Sequence, residues 1–134
     1  MPDKINFELL TPDRKVYSDG VSSVRLPGLK GYFGVHPGHT FFLAALKIGE
    51  IRVKIGNEIS YFATSGGFAE VLPHSVSVLA ESAESATSID VERAKKAKDR
   101  AAKRLEEGRK SWDMDRAKAA LARAINRIRV ASEN

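Results

Sequence analysis

Six arginines in the last third of the chain are the residues whose type and spacing most clearly predict chemistry. They are Arg93, Arg100, Arg104, Arg116, Arg123 and Arg127. Within both trios the gaps are seven and then four residues, so each trio would follow one stripe of a helix. A guanidinium group presents a planar fork that matches phosphate or carboxylate oxygens. The pattern favours an anion-binding site, and the alternative is a solvated charged face.

The distribution of charge also favours an anionic partner for this region. The 134 residues carry a net charge of +5, but residues 90–134 hold 14 Lys/Arg against 8 Asp/Glu, a net +6. Residues 1–89 hold 8 Lys/Arg against 9 Asp/Glu, a net −1. Nucleic acid, an acidic protein surface or a phosphorylated small molecule would each match this asymmetry.

Other residues offer little chemistry. His36-Pro37-Gly38-His39 places two imidazoles beside a turn, but no third ligand lies near, so a tight turn between strands is favoured over a metal site. The absence of cysteine excludes disulfides and thiolate sites. No Ser/His/Asp order or paired carboxylates stand out, and the glycine-rich stretches lack the Lys-Ser/Thr step of a phosphate-binding loop. We expect no catalytic residue and no metal site.

The first part of the chain, which must support the arginines, has a β pattern. From Ile5 to Ala80 the apolar residues alternate in short runs separated by turn residues, and Gly56–Glu58 separates two runs as in a hairpin. The close turns leave no room for crossover helices. The pattern predicts a β-sandwich or flattened barrel of eight to ten short strands.

Beyond residues 81–88, which we interpret as a linker or hinge, the composition favours helix. Asp90 suits the N-cap of a first helix that reaches about Glu107, and Gly108 suits its C-terminal end. A second helix should begin near Asp113. Its apolar seam is Met114, Ala117, Leu121, Ala124, Ile128 and Ala131, and the first helix offers Val91, Ala94, Ala97, Ala101 and Leu105. The two helices should pair as an antiparallel hairpin.

The seams of this hairpin are rich in alanine, which buries little apolar surface. At ~25 cal/mol per Å², each alanine contact contributes modestly. An isolated hairpin should therefore be marginally stable, and it is either mobile or held by the sandwich. The N-terminal stretch MPDKINFELL has no apolar signal core, and the longest apolar run, Phe41–Leu46, is too short to cross a bilayer. We expect a soluble protein.

Five stretches, taken in order, resemble the epsilon subunit of bacterial F-type ATP synthases. They are LLTPDRKVYSD, GVHPGH, SGGFAEVLPHSVSVLAESAE, IDVERAKKAKDRA and RAKAALARAINRIRV. Together they span nearly the whole chain. The resemblance implies a sandwich of about ten strands at residues 1–84 and a two-helix regulatory domain at residues 85–134. It also implies a non-catalytic subunit of the central stalk rather than an enzyme.

The resemblance further implies partners and a location. The sandwich would bind the gamma subunit and the ring of c subunits, peripherally at the cytoplasmic face of the cell membrane. The hairpin would either fold beside the sandwich or extend to acidic loops of the beta subunits and inhibit ATP hydrolysis. Tyr32-Phe33 replace an acidic residue that members often carry in the loop before GVHPGH, so a c-ring contact there should be more apolar.

Some members of this family bind ATP as a regulator at a motif that opens the first helix. IDVERA matches this motif at Ile89, Asp90, Arg93 and Ala94. Similarity adds Glu84, Arg100, Arg123 and Arg127 to the implied site. Asp90 and the nearby backbone would face adenine and the arginines would face the phosphates. ATP, with or without Mg²⁺, would then favour the folded hairpin, and no catalytic cofactor is implied.

Two other functions compete with this interpretation. The basic hairpin could make the chain a nucleic-acid-binding module, although Trp112 is its only aromatic residue and lies at the turn. The family resemblance, by contrast, leads us to expect no nucleic acid among the partners. A small β-sandwich enzyme is the third option, and it lacks an assembled catalytic set.

Overall fold

The computed structural model describes residues 4–133, where eight strands precede two helices. The strands are β1 (Ile5–Leu10), β2 (Lys15–Val21), β3 (Ser23–Gly28), β4 (Gly31–Val35), β5 (Phe42–Ile55), β6 (Glu58–Leu72), β7 (Ser75–Ala80) and β8 (Ala83–Ser85). A short 3-10 helix (Ala86–Ser88) leads to α1 (Val91–Glu107) and α2 (Met114–Ser132). The predicted class, a β-sandwich followed by a helical hairpin, is confirmed.

The strands form one hydrogen-bonded sheet that surrounds the main core. Its order is β2-β1-β7-β6-β5-β3-β4, and β8 pairs with β6. β1 pairs with β7 in parallel, and the other pairs are antiparallel. Strands β1 to β7 all contribute to one buried apolar cluster, in which Phe7, Leu26 and Ile51 are fully enclosed. The alternation seen in the sequence therefore corresponds to side chains that point into and out of this core.

The eight strands agree with the eight to ten that the pattern predicted and are fewer than the ten or so that the resemblance implied, because two strands are long. β5 has 14 residues and β6 has 15. The apolar runs around Tyr61 and Phe68 are continuous in β6. Gly66 and Gly67 lie between them with φ of 112° and 142°. A Cβ on Gly67 would collide with the carbonyl oxygen of Leu79, so glycine lets β6 change course there without ending.

Tyr32 and Phe33 lie in strand β4, not in an exposed loop, which corrects the expectation of an apolar loop there. Both side chains are half-buried. The Phe33 ring packs edge-on against Phe42 with centroids 5.3 Å apart. The Tyr32 hydroxyl accepts a hydrogen bond from the Glu50 N–H at 2.9 Å. The exposed apolar side chain of this region is Leu29, in the preceding turn, which is 65% exposed.

The segment at residues 81–88, which we interpreted as a linker or hinge, is structured and is therefore not a loose linker, and its role as a hinge stays a prediction. β8 pairs with β6, with Glu84 opposite Ala63, and the 3-10 helix follows at once. The proposed division of the chain at residue 84 would fall inside this strand and stays a prediction.

The helix boundaries agree with the predicted caps. The Asp90 side chain accepts a hydrogen bond from the Arg93 N–H at 3.0 Å, and Asp113 caps α2 through the N–H groups of Asp115 and Arg116. Gly108, with φ of 87°, ends α1. Neither helix in residues 4–133 combines the length and apolar character that a membrane span requires.

The hairpin packs on the sandwich through α2. This helix contacts β5, β6 and the 3-10 helix, while α1 packs on α2. Val130 is fully buried in a small cluster with Ala63, Ala86 and Ile89. Between the helices the buried residues are alanines, among them Ala94, which the sequence predicted as seam residues. The structure thus has the hairpin held by the sandwich, and its mobility stays a prediction.

Candidate anion-binding site

A cavity of about 380 Å³ lies between the hairpin and the sandwich. The sandwich lines it with Ala63, Thr64, Ser65, Ser82 and Glu84. The hairpin lines it with Ala97, Arg100, Ala120, Arg123, Ala124, Asn126 and Arg127. The volume lies within the usual range of small-molecule sites, and the alanines of both helices keep the space open.

The charged side chains of this lining favour an anion. Arg100 comes from α1, whereas Arg123 and Arg127 lie one turn apart on α2. Three guanidinium groups against the single carboxylate of Glu84 leave the lining with a net charge of +2. Within residues 4–133, neither Arg100 nor Arg123 forms an ion pair, so both are available to a ligand.

Arg127 is bound to Glu84. Its Nε donates to Glu84 Oε1 and its Nη2 donates to Glu84 Oε2 at 3.3 Å. Both side chains are about three-quarters buried, with exposed fractions of 26% and 28%. This fork-to-carboxylate pair joins α2 to β8 across the boundary between hairpin and sandwich. A phosphate would have to share the Arg127 fork with Glu84.

The structure thus brings together Glu84, Arg100, Arg123 and Arg127, and it places the other four predicted site residues outside the cavity lining. Asp90 caps α1, Ala94 is buried between the helices, and Ile89 packs in the small cluster under α2. Arg93 is exposed on α1. Capping and packing therefore account for most of the motif's residues here, and their role at adenine stays a prediction.

The six arginines do not all converge. Arg104 and Arg116 line a second cavity of about 420 Å³ near the hairpin turn, and Arg123 borders both cavities. The Arg104 guanidinium lies 4.4 Å from the centre of the Trp112 ring. The indole N–H of Trp112 donates to Glu107 Oε2 at 3.2 Å. The second cavity is thus bordered by a stacked arginine and aromatic ring.

Sequence reasoning missed the polar residues that face the cavity from buried positions. Thr64 is 2% exposed, and its hydroxyl donates to the Ser82 carbonyl at 3.2 Å. Asn126 is 4% exposed, lies on α2 and donates from Nδ2 to the Gly49 carbonyl at 2.8 Å. The sequence signal that could have revealed Asn126 is its position close to the apolar seam of α2, because a buried amide needs hydrogen-bond partners.

Glu50 lies beside the C-terminal part of α2 and has an unusual environment. Its Oε1 is buried and has no hydrogen-bond partner among the described residues. Burial raises the pKa of this carboxyl, and the nearby charge of Glu133 raises this pKa further. The charges of Arg129, Arg52 and Arg25 oppose the shift. Glu50 thus combines a buried, unpartnered carboxylate oxygen with a raised pKa beside the docked helix.

The HPGH stretch forms the predicted tight turn between β4 and β5. The His39 N–H donates to the His36 carbonyl at 3.2 Å, and His39 Nδ1 lies 2.8 Å from the Thr40 carbonyl oxygen. In the part of the chain that the structure describes, no three His, Asp or Glu side chains are grouped to hold a metal ion.

Comparison with known proteins gives the family. The family model described as ATP synthase, Delta/Epsilon chain, beta-sandwich domain matches residues 4–86. The model described as ATP synthase, Delta/Epsilon chain, long alpha-helix domain matches residues 87–132. The ATP synthase epsilon chain of Syntrophobacter fumaroxidans is 48% identical over 133 residues, which cover 99% of both chains. That of Desulforapulum autotrophicum is 50% identical over 132 residues, which cover 97% of both chains.

A solved structure shows the same fold. A chain in the cryo-EM structure of the Euglena gracilis mitochondrial ATP synthase (OSCP/F1/c-ring, rotational state 1) superposes with a TM-score of 0.80 at 23% identity. The match covers 100% of this chain and 84% of that chain. On the sequence matches and the shared fold together, the chain belongs to the ATP synthase epsilon chain family, the non-catalytic subunits of the central stalk.

Proposed function

We propose that the chain regulates ATP synthase through its C-terminal hairpin, and that bound ATP favours the docked hairpin. The observation that carries this proposal is the cavity with a net charge of +2 between α1, α2 and the sandwich. A ligand in that cavity contacts both parts of the chain. It therefore binds the docked form and loses half of its site when the hairpin leaves.

The free energy that a bound ligand supplies is large enough to shift the hairpin between its docked and detached forms. A ligand at 100 times its dissociation constant that binds only one form stabilises that form by about 2.7 kcal/mol. The contact between hairpin and sandwich is small, with Val130 against Ala63, Ala86 and Ile89 at its apolar centre. A shift of this size can reverse a marginal equilibrium between docked and detached hairpins.

The lining favours the phosphate end of a nucleotide. Arg100 and Arg123 offer unpaired forks, and Arg127 can turn part of its fork from Glu84 to a phosphate oxygen. Mg²⁺ that entered with the nucleotide would take its ligands from phosphates and water, because the lining has one carboxylate and Arg127 already occupies it. Asp90, outside the lining, would face the adenine end.

A detached hairpin would act on the catalytic head. Its 14 Lys/Arg against 8 Asp/Glu in residues 90–134 give it the charge to bind acidic loops of the beta subunits. Bound there, it would obstruct rotation and inhibit ATP hydrolysis. ATP would relieve this inhibition by holding the hairpin on the sandwich.

An exposed apolar patch on the sandwich is the surface that we assign to the gamma subunit. It consists of Leu43 on β5, Phe68 on β6 and Leu79 on β7, which are 69%, 67% and 56% exposed. Phe68 and Leu79 are directly opposite in the sheet, and Leu10 borders the same surface. Large side chains grouped on an outer face are typical of protein contacts.

The turn that carries Leu29 and the loop that carries Phe41 are the surfaces that we assign to the c ring. Leu29 is 65% and Phe41 is 49% exposed. We assign the c-ring contact to these two residues and not to Tyr32 and Phe33, because the side chains of Tyr32 and Phe33 are half-buried in strand β4. With these contacts the chain would lie at the cytoplasmic face of the membrane as a peripheral part of the synthase.

Calorimetric titration of the full chain with ATP tests the nucleotide part of this proposal. We expect saturable binding of one nucleotide without hydrolysis. A flat titration at millimolar ATP would overturn it, whereas the assignment of the chain to the family would stand.

A further inference from the structure

Ser65 and Ser82 form a hydroxyl pair on the sandwich wall of the cavity. Their Oγ atoms lie 2.6 Å apart. The Ser65 N–H also donates to the Ser82 carbonyl at 3.2 Å, and the Thr64 hydroxyl donates to the same oxygen. Both serines line the cavity together with Arg100 and Arg123 of the hairpin. Hydroxyls and guanidinium groups therefore border one space from opposite sides.

The backbone around these serines is firmly held. Ser65 precedes the two glycines at which β6 changes course, and the Gly66 carbonyl accepts a hydrogen bond from the Glu81 N–H at 3.0 Å. This bond ties the segment before Ser82 to β6. The hydroxyl pair is thus carried by the rigid sandwich and does not depend on the hairpin for its position.

We infer that the Ser65–Ser82 pair is a further phosphate-binding element of the site, which contacts the phosphate tail of a nucleoside triphosphate from the sandwich side. A serine hydroxyl has one O–H donor and two acceptor lone pairs. Within the pair one O–H is used between the two oxygens, so the other O–H remains to donate to an anionic oxygen. This inference rests on the proposed function of the cavity.

The consequence is a ligand that joins the two parts of the chain directly. The arginines that bind the phosphates belong to α1 and α2, whereas the serines belong to the sandwich. A phosphate tail bound by both groups would lose its serine contacts as soon as the hairpin moved away. The hydroxyl pair therefore makes nucleotide binding dependent on docking, beyond what arginines of the hairpin alone would achieve.

Calorimetric titration of the full chain with ATP tests the inference, with the wild type, Ser65→Ala, Ser82→Ala and Ser65→Thr. A hydrogen bond to a charged group corresponds to about tenfold or more in affinity, a loss that we expect for the alanine variant of the serine whose O–H donates to the phosphate. Ser65→Thr keeps the hydroxyl and should bind within about twofold of the wild type. Ser18→Ala, an exposed serine on β2 outside the lining, is the matched control and should bind normally.

Thermal unfolding of the ligand-free variants completes the test. We expect the alanine variants to unfold at the wild-type temperature. Equal ATP affinity of wild type and alanine variants would overturn the inference and leave the proposed function intact. A loss of affinity accompanied by an equal loss of ligand-free stability would also overturn it, because the serines would then be structural. If the wild type does not bind ATP, both the inference and the nucleotide part of the proposed function fail.

Discussion

Asn126 on α2 donates a hydrogen bond from its side-chain amide to the carbonyl oxygen of Gly49 on β5, at 2.8 Å, in a buried position. Its Oδ1 accepts from Arg129 Nη2 at 2.9 Å. The amide is thus satisfied on both sides at the surface where the hairpin meets the sandwich. Because a detached helix would leave the Gly49 carbonyl to water, this bond belongs to the docked form alone.

Asn126→Ala should weaken docking. The variant leaves a buried carbonyl without its donor, which costs about 1–3 kcal/mol. Amide hydrogen exchange of α2 measures the effect, and we expect faster exchange there with unchanged exchange in β5 and β7. Asn6→Ala, at an exposed position of β1, is the matched control. Unchanged exchange in α2 of the Asn126 variant would contradict a role for this bond in docking.

Arg123→Ala should lower ATP affinity about 10- to 100-fold, since it removes a charge-assisted hydrogen-bond donor from the cavity. Isothermal titration of the full chain measures the change. Arg109→Ala, an exposed arginine in the hairpin turn and outside the lining, controls for the loss of one positive charge. Equal losses in the two variants would indicate general electrostatic attraction instead of a site.

Docking should depend on pH through Glu50. Burial raises the pKa of its carboxyl above the usual value of 4.5 in the docked form. We expect this pKa to fall towards the usual value when α2 leaves and water reaches the carboxyl. The docked form therefore holds the proton more tightly. The contribution of the Glu50 carboxyl to docking is complete below the usual pKa, and this contribution is lost as pH rises through the raised pKa.

Hydrogen exchange of α2 across this pH range, corrected for the intrinsic rate, measures the effect. Glu50→Gln keeps a neutral side chain at every pH and should remove this dependence. Glu58→Gln, at an exposed position in the β5–β6 hairpin, should retain it. A Glu50 variant with the wild-type pH profile would assign the dependence to another group.

A chain that ends after Ser88 should keep the sandwich and lose the inhibition. The main core cluster contains no residue of either helix, so its packing survives the truncation. Complexes reconstituted with the shortened chain should assemble and hydrolyse ATP faster than complexes with the full chain. Equal hydrolysis rates in the two complexes would exclude the hairpin as an inhibitor.

Phe68→Glu should weaken binding to the gamma subunit without unfolding the chain. Phe68 is 67% exposed, and a carboxylate at the centre of an apolar contact must be desolvated when the partner binds. Ile59→Glu, on the same strand but outside the patch and 44% exposed, is the control. Binding of the purified subunits measured by calorimetry should fall for the first variant and not for the second.

Local patterns in the sequence predicted the parts of this fold that depend on neighbouring residues. Asp90, Gly108 and Asp113 set the helix ends through capping bonds within one turn, and Gly56 set the β5–β6 hairpin. The length of β6 was not predictable in the same way. Whether Gly66 and Gly67 end a strand or only bend it depends on Leu46 and Leu79, which lie on neighbouring strands.

The candidate site shows the same division between local and distant causes. Spacing along each helix predicted that Arg123 and Arg127 share a face, and the family resemblance added Glu84. Spacing alone did not reveal that Arg93 lies outside the cavity lining, because that depends on how α1 lies against α2. Ser65 and Ser82 come together only through the pairing of distant strands, and no sequence pattern marked them.

The parallel pairing of β1 with β7 affects how the chain can fold during its synthesis. β1 needs residues 75–80 as its second neighbour, so the sheet stays open on the ribosome until β7 has emerged. The helices are translated afterwards and meet a sandwich whose core is already complete. A chain that ends before β7 would leave β1 without its second neighbour, whereas a chain that ends after β8 contains every residue of the main core cluster.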